Sequence, residues 1–194
     1  MSTVAKATMG AAAVWLALAW LLGSKGAAYG LPPVLIGAVV WGGLAVLLAV
    51  YLGQPAARRW ALALPPRWMA AFHLWRLAPG IYFIVLYGQG VLPWRFAVPA
   101  GLGDIAVAVT APLAGFWLGA ETSGRRGWLI AWHALGFVDL AQVVGSAMRL
   151  RLMGDPMILH LGGDFPLYLL PLFAVPITLA AHGLAIVALW PRKT

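Results

Sequence analysis

The sequence predicts an all-α fold, a polytopic membrane helical bundle of about six transmembrane helices. Three observations carry this expectation: the composition, the length of the apolar stretches and the placement of the basic residues. Of 194 residues, 63% are hydrophobic and 9% are charged, and the mean hydropathy is +0.90. A water-soluble domain carries about 25% charged residues, so the solvent this chain is built for is the bilayer. With no cysteine, disulfides and thiolate metal sites are excluded and the redox compartment is left open. The formal charge of +8 would suggest nucleic acid in a soluble protein. Here the basic residues sit in short loops and report orientation instead, so no nucleic-acid partner is expected.

Crossing about 30 Å of hydrocarbon takes roughly 20 helical residues, and six stretches qualify within a single domain over 1–194. The first, 5–23, carries Lys6 at its start but exceeds the apolar core of a signal peptide, about 7 to 15 residues, and is read as a helix. The second is 31–53. The third, 68–88, follows the Pro65-Pro66 pair and is the least clean. The fourth (97–119), fifth (128–148) and sixth (166–190) are each bounded by Gly, Pro or charged residues. Membrane β-strands would be about 10 residues long and alternating, which these are not.

Cytoplasmic loops carry the excess of Lys and Arg. The side bearing the N-terminus collects Lys6, Arg58, Arg59, Arg67, Arg125, Arg126, Arg192 and Lys193, and the opposite side Lys25, Arg95, Arg149 and Arg151. Both termini are therefore expected in the cytoplasm of a bacterial inner membrane, with segment 149–165 outside. Arg58, Arg59, Trp60 and Trp68 read as an interfacial anchor.

An ionisable group in hydrocarbon costs at least about 2.5 kcal/mol and normally faces protein or water. Six such residues fall at bilayer depth: His73, Arg76, Asp104, His133, Asp139 and His182, accompanied by Gln142, Ser146 and Thr178. At about 1.5 Å per residue, His73, His133 and His182 share one depth on the cytoplasmic side of the midplane, on three different helices. Residues three or four apart share a helix face, so Asp139, Gln142 and Ser146 form one stripe, with His133 about 120° away from Asp139. His73, Arg76 and Gly80 share a face above Pro79, which frees a backbone carbonyl and predicts a kink. Asp104, Ala108, Ala111 and Gly115 form a ridge of small residues suited to close helix approach.

Several uses of these groups are open. In the first, Asp104 and Asp139 bind or translocate a proton or small solute, with Arg76 as counter-charge, Gln142 as a neutral partner and the Pro and Gly breaks as moving parts. In the second, two of His73, His133 and His182 are axial ligands of a b-type haem, with Arg76 near a propionate. In the third, the three histidines hold a metal for hydrolysis, which would want a base at their depth where no carboxylate is evident. In a purely structural reading, Arg76 neutralises Asp104 or Asp139, the other carboxylate is protonated or bonded to Gln142, and the histidines are packed and hydrogen-bonded in the core. Eleven tryptophans and the small-residue ridge also suit a homo-oligomer or an accessory subunit of a membrane complex, with the lipid bilayer as the remaining partner. No HExxH, GxSxG or Walker loop is present, Gly101-Leu102-Gly103-Asp104 is too short for a phosphate cradle, and no catalytic residue is assigned. The two halves show no alignable repeat.

The stretch from Gly90 through Leu92-Pro93, Phe96-Ala97 and Pro99-Ala100-Gly101 to Gly103-Asp104 is followed by Ala111-Pro112, Gly136-Phe137-Val138-Asp139-Leu140 and the segment Phe165-Pro166 to His182. Together these resemble a family of uncharacterised bacterial polytopic integral membrane proteins with an LPxxFAxPAGxGD pattern, over roughly Leu74 to Leu184. The resemblance implies membrane localisation and no activity, and it directs attention to Asp104, Asp139 and His182.

Overall fold

A computed structural model describes residues 2–26, 31–118 and 123–190. Among these the chain is all-α, without strands, and six helices are long and apolar enough to cross a membrane. They are α1 (Thr3–Ser24), α2 (Pro33–Gly53), α3 (Pro66–Gly88), α4 (Trp94–Trp117), α5 (Ser123–Leu152) and α6 (Leu170–Leu189).

The ends of the helices follow local chemistry. Ser2 caps α1, its hydroxyl accepting from the Ala5 amide at 3.2 Å, which meets one of the four donors a helix start leaves unpaired. Prolines open α2 and α3 at their first positions, where a missing N–H costs nothing. Helix α4 begins at Trp94, three residues before the expected start, because extended Pro93 already receives the amides of Phe96 and Ala97. Its expected end at Gly119 lies outside the described residues. Helix α5 runs on to Leu152, its last turn carrying Arg149 and Arg151, cations that suit a helix C-terminus. Helix α6 starts four residues later than expected, after a turn over 165–168, and opens as a π-helical segment, Leu170–Ala174, that contains Pro171. Between the second and third spans the anchor residues Arg58, Arg59 and Trp60 lie in a short helix, Pro55–Leu62, with Pro first and Ala, Arg and Leu following, all good formers.

Two compact units divide the chain, the boundary falling within α5 and α6. The first comprises 1–60 and 144–178. In it Trp15 Nε1 donates to the Leu172 carbonyl at 2.8 Å. That carbonyl lies four residues before Pro176, which has no N–H to return to it, so the indole replaces a missing helical hydrogen bond. Tyr51 donates to Thr8 Oγ1 at 2.8 Å, Arg151 donates to the Leu31 carbonyl at 2.7 Å, and Gly43 lets the Trp15 ring and Pro176 approach α2. The loop acids are used locally: Asp155 accepts from the Met157 amide at 2.9 Å, and Asp164 pairs with His160 at 2.6 Å on the surface.

The second unit comprises 61–143 and 179–194. Its centre is the α3–α4 hairpin. The turn closes at Gly90, whose φ of +73° favours glycine, while the Val91 amide reaches back to the Leu86 carbonyl in the manner of a Schellman cap. Beyond the turn, Phe83 meets Phe96 edge-on at 5.3 Å. Gly80 and Gly101 bring the two backbones together, a Cβ on Gly101 falling 2.9 Å from the Gly80 carbonyl oxygen. The small-residue ridge of α4 completes the contact: Ala108 and Ala111 are fully buried, and Gly115 abuts the Arg67 carbonyl and Ala70. In the same unit, Arg126 donates to the carbonyls of Leu189 and Trp190 that end α6.

Candidate functional site

Helix α3 is not uniform. Residues Phe72–Arg76 form a 3₁₀ turn before the α-helix resumes at Leu77, immediately upstream of Pro79. Residues three apart eclipse in a 3₁₀ turn, so His73 and Arg76 project together, and both are wholly buried. This tightened turn lies just upstream of Pro79 and carries two of the polar residues at bilayer depth.

Arg76 joins two carboxylates from two other helices. Its Nε donates to Asp104 Oδ1 of α4 at 2.6 Å, and its Nη2 donates to Asp139 Oδ2 of α5. The side chains retain 1% exposure for Arg76, 6% for Asp104 and 22% for Asp139, so Asp139 is the open end of the triad and Asp104 the sealed one. Charge-assisted bonds from one planar guanidinium to two carboxylates fix both acids relative to α3. Arg76 Nη1 has no hydrogen-bond partner among the described residues.

Glycines make this arrangement possible. A Cβ on Gly103 would coincide with the Asp139 carboxylate, and one on Gly80 would fall 2.9 Å from Asp104 Cβ. The Gly101-Leu102-Gly103-Asp104 stretch is therefore helical and fully employed: Gly101 admits α3, Gly103 admits Asp139, and Asp104 takes Arg76.

A second cluster contains the three histidines. His73, His133 and His182 each have 0% exposure. The rings of His73 and His182 stack at 3.6 Å and 15°, and His133 meets His182 edge-on, with their Nδ1 atoms 3.1 Å apart. Both nitrogens of His73, and Nε2 of His133 and of His182, have no hydrogen-bond partner among the described residues. One nitrogen from each ring lies within 4.8 Å of the others. Gly136, one turn after His133, supplies the space, since a Cβ there would overlap the His182 ring. Trp132 closes the side, edge-on to His73 and His133, and is anchored by Nε1 donating to Thr110 Oγ1 at 3.0 Å.

The structure thus brings Arg76, Asp104 and Asp139 together, and separately His73, His133 and His182. His133 and Asp139 meet different partners, as their separation around α5 requires. Gln142 is not in either group: it is exposed, on the outward stripe of α5 that also carries Leu135 and Val138. Thr178 returns its hydroxyl to the Ala174 carbonyl of its own helix at 2.7 Å. Sequence reasoning did not find Gly103 and Gly136. The signal was their spacing, Gly103 beside Asp104 and Gly136 midway between His133 and Asp139.

The family model described as "Domain of unknown function (DUF8737)" matches residues 33–190, and the chain belongs to that family. The match takes in α2 through α6, further toward the N-terminus than the resemblance from Leu74, because α2 is plain apolar helix without Gly-Pro-Asp landmarks. No curated protein and no solved structure matches the chain.

Proposed function

We propose that this member of a family of unknown function is an integral membrane protein that binds, exchanges and translocates a proton or small cation at the Arg76–Asp104–Asp139 centre. The observation that carries the reading is a mismatch of charge: one guanidinium serves two carboxylates. Uncompensated charge in hydrocarbon is costly, and a proton or small cation on the second carboxylate removes the excess. Asp139 is the acceptor because it is the more exposed of the two. Asp104 is the fixed counter-ion of Arg76. The 3₁₀ turn Phe72–Arg76, next to Pro79, is the element that moves, since such turns in mid-helix mark hinges. The distribution of basic residues supports a cytoplasmic location for both termini, and the resemblance to bacterial membrane proteins supports an inner-membrane location.

The b-type haem reading draws less support. A macrocycle between two axial histidines separates their rings, whereas here His73 stacks on His182 at 3.6 Å and His133 touches His182 through their nitrogens.

The reading is tested in proteoliposomes loaded with a pH-sensitive dye under an imposed ion gradient. The wild-type chain is expected to dissipate a proton gradient and Asp139→Asn to lose at least tenfold of that rate. Equal rates for wild type, Asp139→Asn and empty vesicles, with the protein monodisperse, would sink it.

A further inference from the structure

The histidine cluster is separate from the charged triad and is not used by the proposed exchange. Three imidazoles from α3, α5 and α6 are sealed from solvent, with four ring nitrogens that bond to nothing among the described residues. A buried polar atom without a partner carries its full desolvation cost, so a packed core would favour apolar side chains at these positions. Neutral imidazole nitrogens do suit one class of partner, first-row transition-metal ions.

We propose that His73, His133 and His182 form an intramembrane binding site for a divalent transition-metal ion of the zinc type, three-coordinate from the protein and open at the fourth position. Three histidines with one open position is a recurrent zinc arrangement. Metal–nitrogen distances of about 2.0–2.1 Å put the edge of a tetrahedral site at about 3.3 Å, and His133 Nδ1 and His182 Nδ1 are already 3.1 Å apart. In the absence of metal one of these two nitrogens must carry a proton to make that contact. On metal binding that ring moves its proton from Nδ1 to Nε2, both Nδ1 lone pairs turn to the ion, and no net proton is released. The His73 ring must also rotate, because stacked imidazoles direct their in-plane lone pairs parallel, not toward a common point. His73 has both nitrogens available for this. Gly136 and Trp132 act as positioning residues, one admitting the His182 ring and the other walling His73 and His133.

Cobalt(II) titration of the full chain in detergent, with any affinity tag removed, tests the site through its visible d–d bands, which are intense for tetrahedral coordination and weak for octahedral. The chain has four histidines and no cysteine, so in a His160→Ala background only the three buried rings remain as imidazole ligands. The expected result is one equivalent of cobalt with intense bands in wild type and in His160→Ala. The same site should be at least tenfold weaker in His133→Ala and His182→Ala, and zinc should displace the cobalt. Should the buried-histidine variants not run as monodisperse protein, the His160→Ala spectrum decides. Absence of tetrahedral bands in wild type, their loss in His160→Ala, or their survival in a monodisperse His133→Ala or His182→Ala variant would overturn the proposal.

Discussion

In the unit formed by residues 1–60 and 144–178, polar side chains solve local problems. Trp15 answers a carbonyl freed by Pro176, Tyr51 meets Thr8, and Thr178 bonds within its own helix. In the unit formed by 61–143 and 179–194, five titratable groups are buried, Arg76, Asp104 and three histidines, and Asp139 joins them from a partly exposed position. The solvent is the same and the helices are of similar length, so the membrane alone does not explain the difference. Neutral hydrogen bonds between membrane helices are worth only about 0.6 kcal/mol on average, and a fold can be completed with them. The second unit concentrates groups that each carry a larger penalty, and this concentration is the ground for the proposals made above.

Removing Arg76 should break that contrast most strongly. Arg76→Leu leaves two carboxylates facing each other without their cation, and loss of one partner from a buried ionic group costs about 3–5 kcal/mol. A large fall in the midpoint of thermal unfolding in detergent is expected, with substantial recovery in the triple variant Arg76→Leu/Asp104→Asn/Asp139→Asn. Equal midpoints for wild type and Arg76→Leu would show that the ion triad does not hold the unit.

Next in size is Gly103→Ala, whose methyl group displaces the Asp139 carboxylate. Overpacking of this kind costs about 1–3 kcal/mol. The double variant Gly103→Ala/Asp139→Ala should be less destabilised than the sum of the two single changes, measured as a thermal double-mutant cycle. Additivity would place the Asp139 carboxylate elsewhere. Gly136→Ala should show the same order of cost through the His182 ring and, with it, a weakened cobalt spectrum.

The smallest effects belong to the first unit. Trp15→Phe removes the donor to the Leu172 carbonyl, about 0.5–1.5 kcal/mol for one hydrogen bond, and Tyr51→Phe about 0.6 kcal/mol. Neither should alter proton flux or cobalt binding. An effect of Tyr51→Phe on stability as large as that of Arg76→Leu would erase the distinction between the units.

Much of the architecture is legible in the sequence because the bilayer imposes length and apolarity on each span, and the depth of a residue follows from its position along a helix. Hence His73, His133 and His182 can be placed at one level, and His133 can be turned away from Asp139, before any packing is known. Which side chain meets which cannot be read that way. That Arg76 serves both acids, that Gln142 points outward, and that α3 tightens to a 3₁₀ turn depend on the azimuth and approach of neighbouring helices. The approach is set by Gly80, Gly101, Gly103 and Gly136, residues whose effect is the space they leave and which look alike from sequence to any other membrane-helix glycine. The π-helical opening of α6 at Leu170–Ala174, which contains Pro171, is likewise not specified by a proline in the sequence.

The central claim is that Asp139, paired with a shared cation and partly open, is where a proton is held and given up. It is tested most directly by infrared difference spectroscopy of the carboxyl region across a pH step, on wild type, Asp104→Asn and Asp139→Asn. A protonated-carboxyl band is expected in wild type and is expected to disappear in Asp139→Asn, and also in Asp104→Asn, where Arg76 balances the single carboxylate that remains. A wild-type spectrum without such a band, or a band untouched by Asp139→Asn, would contradict it.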